Sequence, residues 1–527
     1  MPRLLGLSLI LWGFVFVLMC VSSGPKPIAG DARLMCAAAS SFFAGDNFAV
    51  SPIRGDVSAG RDGKFYVKYP LLTVVQCMPA LALRDWAGRK AKGDEPLTLL
   101  ATQLVPHAVV ATLALGAFYL ALQLGTSAAG SVAFALIIVV TTPIWLASRS
   151  LYSEALQALL VIWFTLFLLR ARDSQKRGAW AVVGGILGLA INAKIILAVL
   201  GVALVVDQLH ERWDRQRLIA ACFALPGLLL GAAAFLWYNY VRFGDLWTQG
   251  YGVQRDGELG FSVPMASGVY GLLFSSGKSV FQYSPVLLAA AWAVPRWYRE
   301  RRRDLWLIAI PCVVTLCVIG KWWAWSGDWG WGPRLLLPVV PLACVPIVRW
   351  IGGQRRAPRV WVAGLAAIGL YVQLLGLSVD PSQYLFMVRI PSKIAMAKHW
   401  DAPEVRDALA LAHFVPEFNP IVSQQWLVMR YFDPQPFGDD SWYPWKSLGV
   451  RSWRPKNVPN PEKLNFWIAG GASRRAWVFE GLFALATLVL GVLLVRELRR
   501  AGKAERLRAR AAQALAPSSS LQKNRAG

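Results

Sequence analysis

Long runs of apolar residues, each separated from the next by a short polar segment, make up most of this chain. A run of about 20 apolar residues is long enough to cross the hydrocarbon core of a bilayer as a helix. About twelve segments reach or approach this length: residues 4–21, 100–122, 130–147, 153–170, 179–192, 194–208, 218–239, 283–295, 305–321, 335–348, 360–378 and 477–495. The pattern predicts an all-α polytopic membrane protein with about 12 transmembrane helices.

A further apolar segment, residues 71–83, is shorter and is more typical of an interfacial or re-entrant helix than of a span. Leaving it out of the count places the N-terminus and the main basic runs on one side of the membrane. These runs are residues 170–177, 296–303, 349–359 and 496–510. Because Lys and Arg accumulate in cytoplasmic loops, we expect both termini to be cytoplasmic. The cost is that the basic segment 84–92 lies outside.

Composition and charge favour the same class. Hydrophobic residues make up 56% of the 527 residues and charged residues only 16%, and the mean hydropathy is +0.44. The formal net charge of +25 would suit a nucleic-acid-binding protein, but its positive residues are concentrated between apolar runs. The charge therefore indicates orientation and contact with membrane lipids, and no nucleic acid is expected. The seven Cys are scattered without metal-type spacing, so they indicate neither a disulfide framework nor a zinc site.

The polar segments divide the chain into regions. A signal-peptide-like core without a clean cleavage pattern favours a retained anchor at residues 4–21. A long first external loop with interfacial helices follows the anchor, and a Pro- and Trp-rich stretch after residue 380 predicts a small external subdomain. The predicted regions are a transmembrane catalytic module at 1–380, an external, periplasmic region at 381–475, a last transmembrane helix at 476–496 and a basic cytoplasmic tail at 497–527.

Residues 179–208 are flanked by basic segments on both sides, so they are expected to form a tight pair of short helices. The tip of this hairpin falls at Lys194. An ammonium group held within a membrane is costly unless it meets an anion, which makes Lys194 a candidate phosphate-binding residue. Snorkelling of the side chain to the outer headgroups explains the same residue equally well.

Three carboxylates are expected on the outer side: Asp31, Asp62 and Glu154. Asp31 and Glu154 both lie at outer ends of spans and could serve one external cavity. One carboxylate would then act as a base, and the other would hold a metal or a substrate hydroxyl. A simple helix-cap role explains Asp31 as well.

Two further segments carry cations and aromatic rings. Residues 271–279 (GLLFSSGKS) look like a phosphate loop but have the wrong spacing, and no strand precedes them, so a nucleotide site is rejected. Lys278 can still meet a phosphate. Residues 321–334 contain five tryptophans, Trp325 among them, around Asp328 and end at Arg334. These tryptophans suit either a membrane belt or stacking on sugar faces beside a guanidinium that binds phosphate.

Together these features resemble the GT-C superfamily of integral membrane glycosyltransferases. The likeness is to bacterial enzymes with a polyprenyl-phosphate sugar donor, relatives of protein O-mannosyltransferases and lipid A aminoarabinose transferases. It covers roughly residues 1–380 and rests on the order and sidedness of short motifs. These are Asp31 at the start of the first loop, Lys68-Tyr69-Pro70, Glu154 after Ser-Arg-Ser-Leu-Tyr-Ser, WYNYVRFG at 237–244, SGKS at 276–279, YSP at 283–285 and GPR at 332–334.

The resemblance implies a GT-C fold and a sugar transfer on the outer face, with inversion at the sugar. Asp31 corresponds to the family's catalytic carboxylate, and Glu154 is its expected partner. The cations that would offset the charge of the leaving lipid phosphate are Lys68, Lys194, Lys278 and Arg334. The expected contacts to sugar or acceptor are Asp62, Tyr69, Trp325 and Asp328.

The implied donor is a sugar linked to polyprenyl phosphate, and the implied acceptor is a glycan, lipid or protein of the cell envelope. Many family members carry Asp-Glu where this chain has Asp31-Ala32, so the use of a divalent metal ion is left open. The expected location is the bacterial cytoplasmic (inner) membrane.

A flippase for lipid-linked sugars, or another transporter, is the alternative function. Transporters commonly show matched halves with broken helices near the membrane midplane. No internal repeat is evident in this sequence, and its charges are expected to gather outside the membrane. Both observations favour the enzyme.

Overall fold

The structure is a computed structural model. It describes residues 2–24, 30–52, 57–91, 95–209, 215–251, 260–328, 330–353, 356–380, 383, 403–432 and 474–515. Most of the predicted periplasmic region 381–475, Trp329 and the end of the predicted tail after residue 515 lie outside the described residues.

The described chain is almost entirely helical. Its longer helices are α1 (Pro2–Val21), α2 (Gly30–Phe43), α3 (Leu71–Ala91), α4 (Glu95–Gln123), α5 (Ala128–Val140), α7 (Ser153–Ser174), α8 (Arg177–Ala193), α9 (Val199–Leu209), α11 (Leu225–Phe243), α12 (Met265–Phe274), α14 (Val286–Glu300), α15 (Arg302–Lys321), α18 (Arg356–Ser378), α19 (Pro403–Phe414), α20 (Pro420–Phe432) and α21 (Arg474–Leu515).

Shorter elements connect these helices. They are α6 (Ile144–Ala147), α10 (Arg215–Cys222), α13 (Val280–Tyr283), α16 (Val340–Ala343), α17 (Val348–Gly352), and 3₁₀ turns at Ile195–Ala198, Arg334–Leu336, Val345–Ile347 and Pro416–Phe418. Two short strands, β1 (Val57–Ala59) and β2 (Phe65–Val67), pair antiparallel, with Ser58 opposite Tyr66.

Seven helical segments are long and apolar enough to cross a membrane: Leu4–Val21, Ala101–Gln123, Ser153–Ser174, Leu218–Phe243, Arg302–Lys321, Arg356–Ser378 and Val478–Ala504. The prediction of an all-α, multi-pass membrane protein is therefore confirmed. The other predicted spans coincide with shorter apolar helices or with helices broken into turns. The total of about 12 spans stays a prediction.

The predicted span at 335–348 shows why length alone misleads. Pro338, Pro341 and Pro346 recur within it, and proline removes a backbone donor and clashes with the preceding helical turn. The segment accordingly folds as a 3₁₀ turn, α16, a second 3₁₀ turn and α17, all packed in the hydrophobic core.

Small residues bring α8 and α11 into close contact. The two helices carry glycines four residues apart, Gly184 and Gly188 on α8 and Gly227 and Gly231 on α11. A methyl group added at Gly184 would lie 1.9 Å from the carbonyl oxygen of Ala224, and one at Gly231 would lie 2.2 Å from Gly188 Cα. Such backbone approach is how membrane helices pack without long side chains between them. This close packing against α11 holds α8 in place up to its end, where the chain turns at the predicted hairpin tip.

The first loop forms a separate small module on the bundle. The α2 helix, the β1–β2 hairpin and α3 share a hydrophobic cluster distinct from the main core. In contrast to the predicted short apolar segment, α3 continues through Arg84 to Ala91. Helix formation persists because this polar continuation contains no Pro, and its single Gly, Gly88, costs only about 1 kcal/mol.

Contacts between helix ends place the basic runs together. Arg172 at the end of α7 contacts Asp304 near the start of α15, and Arg349 contacts Glu300 at the end of α14. Arg301 donates to the Leu124 carbonyl that follows α4. These basic segments therefore share one end of the bundle, here called the basic end. The predicted cytoplasmic location of the basic end stays a prediction.

Candidate functional site

An ion pair between distant parts of the chain lies at the centre of the opposite end. Asp31 lies in the first turn of α2, and its Oδ2 is 2.8 Å from a terminal guanidinium nitrogen of Arg334. The Arg334 Nε also donates to the Gly327 carbonyl at 3.1 Å. Both side chains are mostly buried, with exposed fractions of 33% for Asp31 and 16% for Arg334. The pair retains access to solvent through the carboxylate.

The loop that leads to Arg334 has an unusual backbone. Gly327 and Asp328 both have positive φ, +67° and +54°. A side chain at Gly327 would come within 2.6 Å of Arg334 Cγ, so glycine is required both by conformation and by space. The turn brings the Asp328 carboxylate to 4.0 Å from Arg334. A non-glycine residue in this conformation is uncommon, and such residues cluster at functional sites.

The start of α7 contributes an aromatic ring and a second acid. The Arg334 guanidinium lies 5.2 Å from the centre of the Tyr152 ring, within cation–π range. Two residues on, Glu154 occupies the first turn of α7 and is 4% exposed. Its Oε2 accepts a long hydrogen bond of 3.4 Å from the Ser153 hydroxyl. The helix N-terminus favours a carboxylate at this position.

The end of α8 supplies a lysine to the same site. Lys194 caps α8 in an extended conformation, at the tip predicted for the short hairpin. Its ammonium interacts electrostatically with Glu154 and Asp31, and also with Arg334. The predicted position of the tip is confirmed. The role of Lys194 in binding phosphate stays a prediction.

The segment between β2 and α3 completes the group. Lys68 lies 5.9 Å from the centre of the Tyr251 ring and acts electrostatically on Asp31. The Tyr69 hydroxyl also interacts with Asp31. The Ser58 hydroxyl of β1 donates to the Gly250 carbonyl at 2.8 Å, which holds the Tyr251 segment on the hairpin.

The protonation state of Asp31 follows from these neighbours. Burial alone raises the pKa of Asp31, but Arg334, Lys68 and the Tyr69 hydroxyl outweigh burial and hold the pKa below its usual range. Burial raises the pKa of Asp328 against the opposing effect of Arg334. Asp31 is therefore a carboxylate at neutral pH, and as long as it pairs with Arg334 it is a weak base.

Lys278 has other contacts than a free phosphate-binding cation would have. Its side chain is fully buried, and its Nζ donates to the carbonyls of Gly330 at 2.6 Å and Gly332 at 3.3 Å. Burial lowers the pKa of Lys278 to about 7, although Asp328 opposes the shift. These contacts favour a positioning role: Lys278 holds the loop that carries Arg334. Its predicted contact with a phosphate stays untested.

Asp62 and Trp325 occupy surroundings of their own. Asp62 accepts from the Tyr66 hydroxyl at 2.7 Å and from the Lys64 backbone at 3.0 Å, both within the hairpin region. The Trp325 ring is 9% exposed and packs 5.7 Å from His413 of α19. Neither observation tests the predicted contacts with sugar or acceptor, but the partners that are found suit structural roles.

The described carboxylates do not suit a metal ion. Within the described ranges, no group of three or more His, Cys, Asp or Glu side chains lies close enough together to hold one. The nearest acid to the centre of the site, Asp31, is paired with a guanidinium. The use of a divalent metal ion stays an open expectation.

Three residues that the sequence reasoning did not single out belong to this end of the bundle. Tyr152 and Tyr251 face the cations, as described above. Arg149 is fully buried and donates to the carbonyls of Ser22 at 2.6 Å and Leu377 at 2.8 Å. The signal for Arg149 was an arginine five residues before Glu154, in a short segment between two apolar runs, since such a residue in a membrane chain marks a structural or functional contact.

Comparisons with known proteins give distant structural similarity. No family model matches the chain, and no curated protein matches it. Among solved structures, the chain is similar to that of ArnT from Cupriavidus metallidurans bound to undecaprenyl phosphate, with 15% identity and a TM-score of 0.42. That match covers 80% of this chain and 75% of the other. It is also similar to the apo oligosaccharyltransferase of Archaeoglobus fulgidus, with 11% identity and a TM-score of 0.43, over 88% of this chain and 61% of the other.

Proposed function

We propose that this protein is a membrane glycosyltransferase of the GT-C type that moves a sugar from a polyprenyl-phosphate carrier to a hydroxyl acceptor. The observation that carries the proposal is the Asp31–Arg334 ion pair, with Lys68 and Lys194 beside it, at the end of an apolar bundle opposite the basic end. Three of the motifs that resemble the GT-C superfamily contribute Asp31, Lys68 and Arg334 to this group, although they lie far apart in sequence.

The cations suit a lipid phosphate. A leaving phosphate carries negative charge into the transition state, and positioned cations that meet the charge as it develops lower the barrier. Arg334 offers a planar fork for phosphate oxygens, whereas Lys68 and Lys194 act as point charges. In the absence of donor, Arg334 pairs with Asp31 instead. Donor phosphate would compete for Arg334 and so release Asp31.

This exchange of partners supplies the base when it is needed. Without its guanidinium partner, Asp31 has a higher pKa and becomes a better acceptor for the proton of the attacking hydroxyl. The acceptor oxygen forms a bond to the anomeric carbon as the bond from that carbon to the phosphate oxygen breaks. The electron pair stays on the phosphate, and the proton goes to Asp31 and then to water. A single displacement of this kind inverts the anomeric centre.

Glu154 takes a second role in the proposal. It is buried in the first turn of α7 and interacts with both Lys194 and Arg334. A fixed carboxylate near two cations offsets their mutual repulsion and holds both side chains in orientation for the donor phosphate. Glu154 therefore positions the phosphate-binding cations, or accepts a hydrogen bond from a sugar hydroxyl.

The test is a transfer assay on the full chain reconstituted in vesicles. A panel of radiolabelled polyprenyl-phosphate sugars is supplied with glycan, lipid and protein acceptors, and both labelled product and free polyprenyl phosphate are measured. We expect the two products in equal amounts for at least one donor, with inverted anomeric configuration by NMR. Donor lipid that moves between leaflets with its sugar bond intact would overturn the proposal in favour of a transporter.

A further inference from the structure

Two cysteines of the first-loop module come together although 40 residues separate them in sequence. Cys36 lies on α2 and Cys77 on α3, and these helices pack against each other. Cys77 is fully buried within the small hydrophobic cluster of the module, and Cys36 packs against the same cluster while keeping some exposure. Both cysteines are free in the structure, so the expectation that the cysteines form no disulfide framework is not contradicted here.

The helical register explains why the two thiols meet. On α2, the buried residues Ala32, Met35 and Ala39 define the stripe that faces the cluster, and Cys36 lies on the same stripe, one turn after Ala32. On α3, Cys77 lies one turn after the buried Thr73 and donates to its carbonyl at 3.5 Å. The two thiol groups interact directly with each other.

The surroundings favour reaction at Cys36. The contact with the Cys77 thiol lowers the pKa of Cys36, burial opposes the shift, and the guanidinium of Arg84 adds to it. The same contact, together with burial, raises the pKa of Cys77. The Arg84 guanidinium itself pairs with Asp85, so the difference in exposure decides the roles: the partly exposed Cys36 thiol is the attacking group, and the buried Cys77 thiol is the resolving group.

We propose that Cys36 and Cys77 form a redox-active pair that closes to a disulfide between α2 and α3. The oxidant is a disulfide-containing molecule, either a small-molecule disulfide or a thiol–disulfide oxidoreductase. The Cys36 thiolate attacks one sulfur of that disulfide and expels a thiolate. The Cys77 sulfur then attacks the mixed disulfide, expels the second thiolate and gives up its proton. Two protein thiols become one disulfide, and the oxidant is reduced to two thiols.

The bond would tie together the two halves of the candidate site. Asp31 lies five residues before Cys36 on the same helix. Lys68 and Tyr69 directly precede α3, which carries Cys77. A covalent link between the helices limits movement of the acid relative to the lysine and the tyrosine. The existence of the disulfide is independent of the proposed function, whereas its effect on sugar transfer rests on it.

The first measurement uses the unmodified, full-length protein. Purified protein in detergent is incubated with excess oxidised glutathione, denatured, labelled with maleimide and digested for mass spectrometry. We expect two of the seven thiols to be lost and a peptide that joins Cys36 to Cys77. Seven free thiols, a glutathione adduct on Cys36 alone, or a bond to a different cysteine would each overturn the proposal.

A matched pair within the same chain serves as control. Cys312 and Cys344 are also close enough to influence each other, but both lie in the transmembrane bundle, where Cys344 is buried in the main hydrophobic core and Cys312 packs against it. We expect this pair to stay reduced under the same conditions. Oxidation of both pairs at the same rate would show that proximity alone, and not the surroundings of Cys36, decides the reaction, which would also contradict the proposal.

Variants and activity separate the disulfide from its consequence. Cys36→Ser and Cys77→Ser should each abolish the cross-linked peptide; Cys36→Ser should lose no thiol on oxidation, whereas Cys77→Ser should stop at a glutathione adduct on Cys36. With an active donor, reduction of the wild-type protein should lower turnover, because loosening a positioned base costs severalfold to about 10²-fold, and Cys36→Ser should not respond to reduction. A disulfide without any change in turnover would overturn the positioning effect. A disulfide in a protein that transfers no sugar would contradict the proposed function alone.

Discussion

Two groups of buried charges lie at opposite ends of α7, and their partners are arranged differently. Glu154 begins the helix and Arg172 is in its last turn, which places the groups roughly 30 Å apart at 1.5 Å per residue. Each group mixes carboxylates with cations from several helices. What differs is how completely each charge is paired.

At the basic end, the two buried carboxylates, Asp207 and Asp304, each have two guanidinium partners. Asp207 of α9 contacts Arg303 at 2.7 Å and Arg172 at 3.3 Å. Asp304 contacts Arg172 at 2.6 Å and Arg301 at 3.3 Å. Buried charges are tolerated when they are paired in this way. These four ion pairs connect α7, α9 and α15. Both carboxylates in the network have direct cationic partners.

At the opposite end, pairing is incomplete. Asp31 has one guanidinium contact at 2.8 Å, and Asp328 lies 4.0 Å from the same Arg334. Within the described part of the chain, no Lys, Arg or His nitrogen lies within 4.0 Å of the Glu154 carboxylate, although Lys194 is near enough to act on it. Charges held close without full pairing can accept a charged ligand. We therefore expect the basic end to contribute mainly stability, and the proposed ligand binding fits the incompletely paired end.

The largest effect is expected for Asp31→Asn. The amide keeps the shape of the side chain but cannot take a proton, so sugar transfer should fall by about two to four orders of magnitude. Insertion and donor binding should persist. Turnover with saturating donor is the measurement, and a variant that keeps more than about a tenth of wild-type turnover would remove Asp31 from the role of base.

A matched carboxylate in the same loop controls for loss of charge. Asp46 is exposed and lies 3.7 Å from Lys64, away from Arg334. Asp46→Asn should keep wild-type turnover because exposed ion pairs contribute little. An equal loss in both variants would mean that the first loop tolerates no such change, and the assignment of the base would lose its support.

The next largest effect is expected at the basic end, on stability. Asp207→Asn would leave Arg172 and Arg303 without their shared carboxylate, and breaking a buried pair costs about 3–5 kcal/mol. Unfolding in mixed micelles measures the free energy of unfolding. Glu497→Gln is the control, since its partner Arg500 is exposed and such a pair is worth at most about 1 kcal/mol. Similar losses in both variants would contradict the structural role of the network.

A smaller effect is expected for Lys194→Met, which keeps most of the side-chain length and removes the charge. If Lys194 meets the donor phosphate, apparent donor affinity should fall by about 1.5–3 kcal/mol, or roughly tenfold or more. The exposed Lys321 at the end of α15 gives the control variant Lys321→Met, which should bind donor normally. Unchanged affinity in both variants would mean that Lys194 only snorkels.

The hydrophobic pattern predicted the fold class, and the hairpin tip at Lys194 followed from the basic runs on both sides of it. The pattern underestimated the length of α3, because a polar sequence without proline continues a helix that its apolar part has started. It also missed the turns within 335–348. The mean hydropathy of this segment does not show that Pro341 and Pro346 interrupt a continuous helix.

For the site, sequence order brought Asp31, Lys68, Glu154 and Arg334 into consideration, and the structure brings them together. Which of them pair could not be predicted, since the 303 residues between Asp31 and Arg334 leave the contact to tertiary packing. The same limit hid the meeting of Cys36 with Cys77. For Lys278, the glycine beside it gave no indication that its Nζ donates to backbone carbonyls of the Arg334 loop, and its predicted contact with a phosphate stays a prediction.

The smallest effect is expected for Arg334→Lys, which tests whether shape matters at this end beyond charge. Arg334 binds Asp31, the Gly327 carbonyl and the face of Tyr152 at once, and a lysine can reproduce only one of these contacts. The rate of sugar transfer should fall roughly five- to tenfold, which corresponds to an increase of about 1–1.5 kcal/mol in the activation free energy.

The pH profile of the Arg334→Lys variant provides a second readout. Because Arg334 lowers the pKa of Asp31, activity that needs the carboxylate is present above that pKa and is lost as the pH falls through it. A weaker partner at position 334 should therefore move the acid limb of the profile to higher pH. An acid limb at the wild-type position, with turnover also unchanged, would mean that the guanidinium fork has no special part in holding Asp31.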